Sequence, residues 1–200
     1  MGLIEFMGLI MNKTKKIPRE QLVEVDMARI NSVIDAYFYW EKLNIKIKTI
    51  SGSRGINFPS ELSEYMACYA LGLIVNKGKT HGDAVDPKNK KIIEIKGSSA
   101  DSEDAPNSFS PDENFDDLVY VRLIKKEDCL KIYRTGINSN ELKSIKVSKT
   151  QTVGDQQKQK RRPRFSIQRK IVEDRHLEPD ATFYIRERTI TYRTGKKNKL

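Results

Sequence analysis

The segment that decides the fold is GDAVDPKNKKIIEIK, residues 82–96. A short apolar piece at residues 84–85 precedes the polar run Asp-Pro-Lys-Asn-Lys, and isoleucines follow it at positions 92, 93 and 95. β-Branched residues on either side of a polar segment with proline and asparagine are typical of two strands joined by a turn. Residues 83–96 therefore predict a β-hairpin.

The turn fixes which residues face each other across this hairpin. If it consists of Lys88 and Asn89, Asp83 lies directly opposite Glu94, with Cβ atoms about 4.5–5.5 Å apart. Lys96 follows Glu94 by two residues, so its side chain lies on the same face. Two opposed carboxylates repel unless a cation lies between them, and hard oxygen ligands suit Mg²⁺. The hairpin thus predicts a Mg²⁺ site held by Asp83 and Glu94.

Metal-assisted phosphodiester cleavage requires these residue types. Carboxylates hold the ion, the ion lowers the pKa of a water molecule, and Lys96 orients or deprotonates that water or stabilises transition-state charge. The alternative is a solvated hairpin in which Glu94 and Lys96 form a surface ion pair, worth about 0–1 kcal/mol. The pattern alone is compatible with both interpretations.

The rest of the chain predicts helices and strands around the hairpin. Apolar residues at three- and four-residue steps indicate helices over residues 25–43 and about 60–73. Residues 98–117 are acidic and polar, which predicts an exposed loop. The apolar, β-branched run at 118–124 predicts a central strand buried on both faces, with residues 130–133 as its neighbour.

The C-terminal part continues this mixture. Residues 151–164 predict a polar basic linker, and Ser166 caps a short predicted helix that ends near residue 176. Residues 182–186 and 189–193 are strand-like. The expected fold class is α/β, with one central mixed sheet flanked by helices.

Composition limits the classes of function. The chain has 200 residues with 37 Lys and Arg against 27 Asp and Glu, a net charge of +10 that favours a polyanionic partner. The length suits one domain over residues 17–200, with a flexible extension over 1–16. No apolar run approaches the roughly 20 residues that cross a bilayer, which excludes an integral membrane protein. Two cysteines without a Cys-x-x-Cys pair fit a reducing cytoplasm.

At the hairpin the sequence resembles the PD-(D/E)XK nuclease superfamily. Asp83 stands at the first acidic position, Glu94 and Lys96 form the Glu-x-Lys element, and Ile95 is the intervening residue whose carbonyl joins the metal shell in that family. Gly82 stands where the name of the motif has proline, a departure common in the superfamily. The resemblance implies that Asp83, Glu94, Lys96 and Ile95 form a metal-dependent nuclease site.

Two further acids bear on this assignment. Many members carry a glutamate on the preceding helix, and Glu64 is the preferred candidate over Glu61, which lies nearer the helix start where the helix dipole favours a carboxylate. Asp86 precedes a proline and is a rival for the first acidic position, but the register places it at the turn, opposite Lys91.

Over residues 25–190 the chain is similar to small type II restriction endonucleases. The supporting stretches are SGSRGINFP at 51–59, SEYM at 63–66, GDA at 82–84, EIKGSS at 94–99, SFSP at 108–111 and RRPRFSI at 161–167. The similar enzymes cut the interrupted palindrome 5′-GCNGC. The resemblance implies a restriction-endonuclease-like domain and a Mg²⁺-dependent homodimer that cuts double-stranded DNA to give 5′-phosphate ends. It also implies a cognate DNA methyltransferase as functional partner in a bacterial restriction–modification system.

Basic side chains crowd residues 158–170 and predict DNA contacts, and Arg54, in the glycine-containing loop before the second helix, could approach a phosphate or equally cap a nearby carbonyl. Lysine and arginine neutralise phosphates, and arginine also reads guanine O6 and N7. A solvated basic loop that contacts only phosphates is the alternative. The predicted DNA-binding residues are Arg54, Lys158, Lys160, Arg161, Arg162, Arg164 and Arg169.

Two other functions remain compatible with the sequence. A structure-selective nuclease for junctions or mismatches would use the same chemistry on another substrate. A non-catalytic nucleic-acid-binding protein would share the charge, but a purely cationic surface would not need the opposed carboxylates of Asp83 and Glu94.

Overall fold

A mixed β-sheet forms the centre of the computed structural model, which describes residues 17–52, 55–78 and 82–200. In these residues the sheet has nine strands in the order β1-β2-β3-β4-β6-β7-β9-β10-β11. The strands are β1 (Leu22–Val23), β2 (Ile74–Asn76), β3 (Ala84–Val85), β4 (Ile92–Ser98), β6 (Asp117–Ile124), β7 (Cys129–Arg134), β9 (Ala181–Tyr184), β10 (Thr189–Tyr192) and β11 (Lys197–Lys199). A separate ribbon pairs β5 (Asn107–Ser108) with β8 (Arg164–Phe165).

Helices flank the sheet, which confirms the predicted fold class. They are α1 (Met27–Ser51), α2 (Ser60–Leu71), α3 (Ser139–Lys143), α4 (Val153–Lys158) and a π-helix (Gln168–Glu173). No helix in the described ranges combines the length and apolar character of a membrane span. The predicted extension at residues 1–16 lies outside the described residues, so the domain boundary at residue 17 stays a prediction.

The central hairpin has the predicted register. Ala84 pairs with Ile93 and Val85 with Ile92, as predicted for these positions. Asp83 lies just before β3 and its amide donates to the Ile93 carbonyl at 2.9 Å, so its direct pairing with Glu94 stays a prediction. The connection is longer than a two-residue turn: the Lys90 amide donates to the Asp86 carbonyl at 2.8 Å. The added residues lie beyond the paired positions and leave the register unchanged.

The two faces of the sheet bury separate apolar clusters. Along β6, Val119 and Val121 face the cluster that contains α1 and α2. Leu118 and Tyr120 alternate with them and pack against Phe109 and other residues on the opposite side. Because neighbouring side chains of a strand point to opposite faces, a strand buried on both sides is apolar throughout, as predicted for this segment.

The first predicted helix is shorter than the observed one. Asp26 accepts a hydrogen bond from the Arg29 amide at 2.7 Å at its start, and Gly52 ends it in the left-handed conformation with φ 58°. Within the added turns, Asn44 is buried and its side chain accepts from the Ile56 amide at 2.8 Å. The helix continues through this buried polar residue because the Ile56 amide provides a hydrogen-bond partner for the Asn44 side chain.

Two segments that were predicted as a loop and a linker contain regular secondary structure, so these predictions are wrong in part. Residues 98–117 contain β5, and both Phe109 and Phe115 are buried, so the segment is not an exposed loop throughout. Residues 151–164 are not a linker, because they contain α4. Thr152 accepts from the Asp155 amide at 3.2 Å and donates its own amide to the Asp155 carboxylate at 2.9 Å, a reciprocal cap that begins this helix.

Candidate active site

The backbone before Asp83 has a conformation that only glycine adopts readily. Gly82 has φ +62°, and a Cβ there would lie 2.8 Å from the Ile93 carbonyl oxygen. Proline, which requires φ near −65°, could not take this conformation. The departure from the proline of the motif therefore has a local structural reason.

Asp83 is anchored by backbone hydrogen bonds to β4. Its amide donates to the Ile93 carbonyl at 2.9 Å, and its Oδ2 accepts from the Ile95 amide at 2.7 Å. These bonds leave Oδ1 of the same carboxylate for another partner, since a carboxylate has two acceptor oxygens.

Glu94 and Lys96 lie on the same face of β4 and form an ion pair. Lys96 Nζ lies 2.5 Å from Glu94 Oε1 and 3.0 Å from Glu113 Oε1. All three side chains are largely buried, so this is not the exposed pair of the alternative interpretation. Glu113 has no counterpart among the residues predicted from the sequence, because it lies in the segment interpreted as an exposed loop.

Burial and neighbouring charges shift the pKa values of the side chains in this cluster. Loss of hydration and the charge of Glu64 raise the pKa of Asp83 to about 6, against the opposing effect of the Ile95 amide. Loss of hydration and the charge of Asp83 raise the pKa of Glu94 to about 7, although Lys96 acts in the other direction. Burial alone would lower the pKa of Lys96, but Glu94 and Glu113 outweigh it and raise that pKa. Burial and the neighbouring carboxylates therefore favour the neutral form of Asp83 and Glu94, and Lys96 offsets this only in part.

Helix α2 brings Glu64 to the same place. A Cβ on Gly97 would lie 2.6 Å from the Ser63 hydroxyl oxygen, so the absence of a side chain lets the helix approach β4. Burial raises the pKa of Glu64, and the charges of Glu61, Glu94 and Lys96 also act on it. The neighbouring Glu61 is exposed and accepts from the Ser60 hydroxyl at 3.4 Å.

Asp86, the rival acid, lies elsewhere. It is buried, accepts from the Lys88 amide at 2.9 Å and forms an ion pair with Arg134 at 3.1 Å. These contacts hold the turn of the hairpin against β7, where Arg134 ends that strand.

A cleft of about 610 Å³ connects the cluster to solvent. Among its lining residues are Glu64, Asp83, Ile95, Lys96, Asn107 and Arg164. In the described ranges no three His, Cys, Asp or Glu side chains are grouped closely enough to hold a metal ion by themselves. Two carboxylates, a backbone carbonyl and water are nevertheless a donor set that fits Mg²⁺, which keeps several waters and binds through one or two carboxylates.

The predicted DNA-binding residues lie at different places. Arg164, in β8, lines the cleft. Lys158, Arg161 and Arg162 are exposed and form no ion pair within the part of the chain that the structure describes. Arg54 lies outside the described residues.

Two of these basic residues are already engaged by acids. Lys160 lies 2.9 Å from Asp112, and both side chains are exposed. Arg169 contacts three acids, Glu173 at 2.6 Å, Asp104 at 3.1 Å and Glu103 at 3.3 Å. Arg169 is therefore the predicted DNA contact with the most competition for its charge.

Comparison with known proteins gives the class and then the family. A family model described as Bsp6I restriction endonuclease matches residues 25–174. The type II restriction enzyme Bsp6I of Bacillus sp. (strain RFL6) is 50% identical over 168 residues, which cover 84% of this chain and 95% of that protein. No solved structure shows a significant match.

A cleft with buried acids and a lysine, in a chain with this similarity, defines a type II restriction endonuclease. The chain belongs to the Bsp6I restriction endonuclease family. It is a site-specific nuclease whose substrate is DNA, and enzymes of this type generally use a divalent metal ion. This membership favours the restriction enzyme over the structure-selective nuclease and the non-catalytic binding protein.

Proposed function

We propose that this enzyme cleaves double-stranded DNA with Mg²⁺ at a site of the PD-(D/E)XK type. Asp83, Glu94 and the Ile95 carbonyl hold the ion, and Lys96 and Glu64 complete the catalytic set. The observation that carries the proposal is that Lys96 lines one cleft with Asp83 while it forms an ion pair with the buried Glu94. The pKa of Asp83 is raised to about 6 and that of Glu94 to about 7.

Each side chain has a distinct part in the reaction. When bound, Mg²⁺ would act as a Lewis acid toward the scissile phosphate and lower the pKa of a water molecule. Asp83 and Glu94 would present their carboxylate oxygens to the ion. The hydrogen bond from the Ile95 amide fixes the orientation of the Asp83 carboxylate. The Lys96 ammonium donates hydrogen bonds to the attacking water or to the phosphate oxygens. Glu64 adds negative charge from the opposite wall of the cleft. The products carry 5′-phosphate ends.

The target is a short GC-rich palindrome, 5′-GCNGC in the similar enzymes. Arg164 is the strongest candidate for a base contact, because it lines the catalytic cleft and arginine pairs with guanine O6 and N7. Lys158, Lys160, Arg161, Arg162 and Arg169 supply phosphate contacts beside it, and Arg54, which lies outside the described residues, is a further proposed contact. Binding should therefore weaken as salt rises.

A palindromic site is read by two identical subunits, so the enzyme acts as a homodimer. The outer face of α1 supports this proposal: Tyr39 is 74% exposed, Leu43 50% and Ile50 72%. Asp35 and Lys46 lie on the same stripe of the helix. A second copy of α1 in antiparallel orientation, centred between Tyr39 and Leu43, would place Asp35 near Lys46 of the partner subunit.

Sedimentation of the purified protein tests this interface. Tyr39→Lys together with Ile50→Lys should convert the dimer to a monomer. Ile45→Lys is the matched control, because Ile45 is 59% exposed but lies off the stripe. An unchanged dimer in the double variant would exclude this face.

The function as a whole is tested by cleavage of phage DNA. Purified protein with Mg²⁺ should give discrete fragments whose mapped ends lie in GCNGC sites. Asp83→Ala, Glu94→Ala and Lys96→Ala should each abolish cutting, whereas Asp101→Asn, an exposed acid, should not. Cutting that persists in all three site variants would refute the proposed site. We expect a cognate methyltransferase to protect host DNA in the cytoplasm, so modified target DNA should resist the enzyme.

A further inference from the structure

Glu113 belongs to the cluster although it comes from a distant segment. Its Oε1 accepts a hydrogen bond from Lys96 Nζ at 3.0 Å across 17 residues of sequence. Its Oε2 is buried and has no hydrogen-bond partner in the described part of the chain. A buried carboxylate oxygen without a partner is costly, and such a group calls for an explanation, of which a catalytic role is one.

The loop that carries Glu113 is anchored on both sides. Phe109 and Phe115 are buried in the second apolar cluster. The Phe109 ring stacks on Phe165 with centroids 5.1 Å apart, and Lys96 Nζ lies 5.3 Å from the centre of the Phe109 ring. Packing therefore fixes both Glu113 and the surroundings of Lys96, so their contact is not the accidental pairing of two mobile side chains.

Lys96 is shared between two acids with different tasks. Glu94 is a proposed metal ligand, whereas Glu113 is not, and both compete for the same ammonium. When a metal ion binds the Glu94 carboxylate, the attraction between Glu94 and Lys96 weakens because the ion neutralises part of the carboxylate charge. An ammonium carries three donors, and the free Oε2 of Glu113 can then accept a second one.

We propose that Glu113 is a positioning residue that holds the Lys96 ammonium in the cleft while Glu94 binds the metal ion. This inference rests on the proposed function, since it needs the metal site of Asp83 and Glu94. Without the charge of Glu113, Lys96 remains on Glu94, competes with the ion for that carboxylate and loses its fixed position. Glu113 thus acts through Lys96 and touches neither the ion nor the DNA.

Calorimetric titration with Mg²⁺ alone, in the absence of DNA, separates this role from a direct one. Glu113→Gln should weaken Mg²⁺ binding about tenfold, the size expected for loss of a group that orients a metal-site residue. In a Lys96→Met background the same substitution should change Mg²⁺ affinity less than twofold, because the side chain through which Glu113 acts is gone. Asp101→Asn, which removes an acid that is 86% exposed from the same segment, should leave the affinity unchanged.

Activity provides a second readout. At saturating Mg²⁺, Glu113→Gln should lower the single-turnover cleavage rate 10- to 100-fold while DNA affinity in Ca²⁺ stays within threefold. If circular dichroism shows that Glu113→Gln does not fold, Glu113→Asp, which keeps the charge but shortens the reach, replaces it in the same cycle.

The outcomes separate a failure of the role proposed for Glu113 from a failure of the proposed metal site. Equal weakening of Mg²⁺ binding in both backgrounds would make Glu113 a direct electrostatic or ligand group and overturn the inference. Mg²⁺ binding that is lost in Asp83→Asn but unaffected by Glu113→Gln would also overturn the inference alone. Absence of Mg²⁺ binding to the unmodified protein would overturn the proposed metal site, and the inference with it.

Discussion

Replacement of Asp83 by asparagine should stabilise the metal-free protein while it abolishes cleavage. The asparagine Oδ1 can still accept the hydrogen bond that the Ile95 amide donates at 2.7 Å, so no backbone group loses its partner. What disappears is a negative charge in a buried cluster that already contains Glu64 and Glu94. The substitution is therefore close to a pure removal of charge.

The pKa of Asp83 gives the size of the effect. Burial and the charge of Glu64 raise it to about 6, whereas the unfolded chain has an ordinary value near 4. About two pKa units correspond to at most about 3 kcal/mol of unfolding free energy. The pKa of Asp83 is higher in the folded protein than in the unfolded chain. The free-energy cost of its charge to the folded state therefore grows as pH rises from about 4 through about 6 and is constant at higher pH.

Urea denaturation in EDTA measures this cost. At pH 8 the variant should gain about 1–3 kcal/mol of unfolding free energy, and at pH 4 less than about 0.5 kcal/mol, because Asp83 itself is then largely protonated. Asp101→Asn is the control and should change neither value, since that acid is 86% exposed. A variant that is less stable than the parent at pH 8, or a gain that is the same at both pH values, would refute the reasoning.

Three further substitutions test the parts of the site. Lys96→Met should lower the melting temperature in EDTA, because it leaves the buried Glu94 and Glu113 without their cation. Mg²⁺ should restore part of this loss, and equal losses with and without Mg²⁺ would contradict the prediction. Gly82→Ala should cost about 1–3 kcal/mol in urea denaturation, since φ is +62° there, and a neutral result would show that the backbone can relax. Phe165→Ala should cost about 3–5 kcal/mol by removing the ring stacked on Phe109, and a loss below 1 kcal/mol would mean that this contact adds little.

The hairpin was predictable because its information is local. β-Branched residues on either side of a short polar turn are enough to predict the hairpin, and the pairing of Ala84 with Ile93 has the predicted register. The helix that carries Glu64 was predictable from apolar spacing for the same reason. The observed bounds of this helix, Ser60–Leu71, differ from the predicted ones only at the C-terminal end.

Other parts depended on contacts that local pattern does not encode. Glu113 looked like one more acid in a polar segment, and only the burial of Phe109 and Phe115 brings it to Lys96. In residues 151–164 the high charge outweighed a signal that was present, the Thr152 and Asp155 cap of a short helix. Strand β2 was missed because two apolar residues and an asparagine shortly after a helix are too few to show a period.

The parallel pairing of β4 with β6 has a consequence for how such an enzyme can diversify. Parallel neighbours cannot be joined by a tight turn, so the chain must leave the sheet after Ser98 and return at Asp117. This excursion carries β5, which lines the cleft, and Glu113, which contacts Lys96, while both its ends stay fixed in the sheet. We therefore expect that exposed residues of this excursion, apart from Glu113, can be replaced without shifting the spacing of Asp83 and Glu94, so that target preference can change while the proposed metal site is kept.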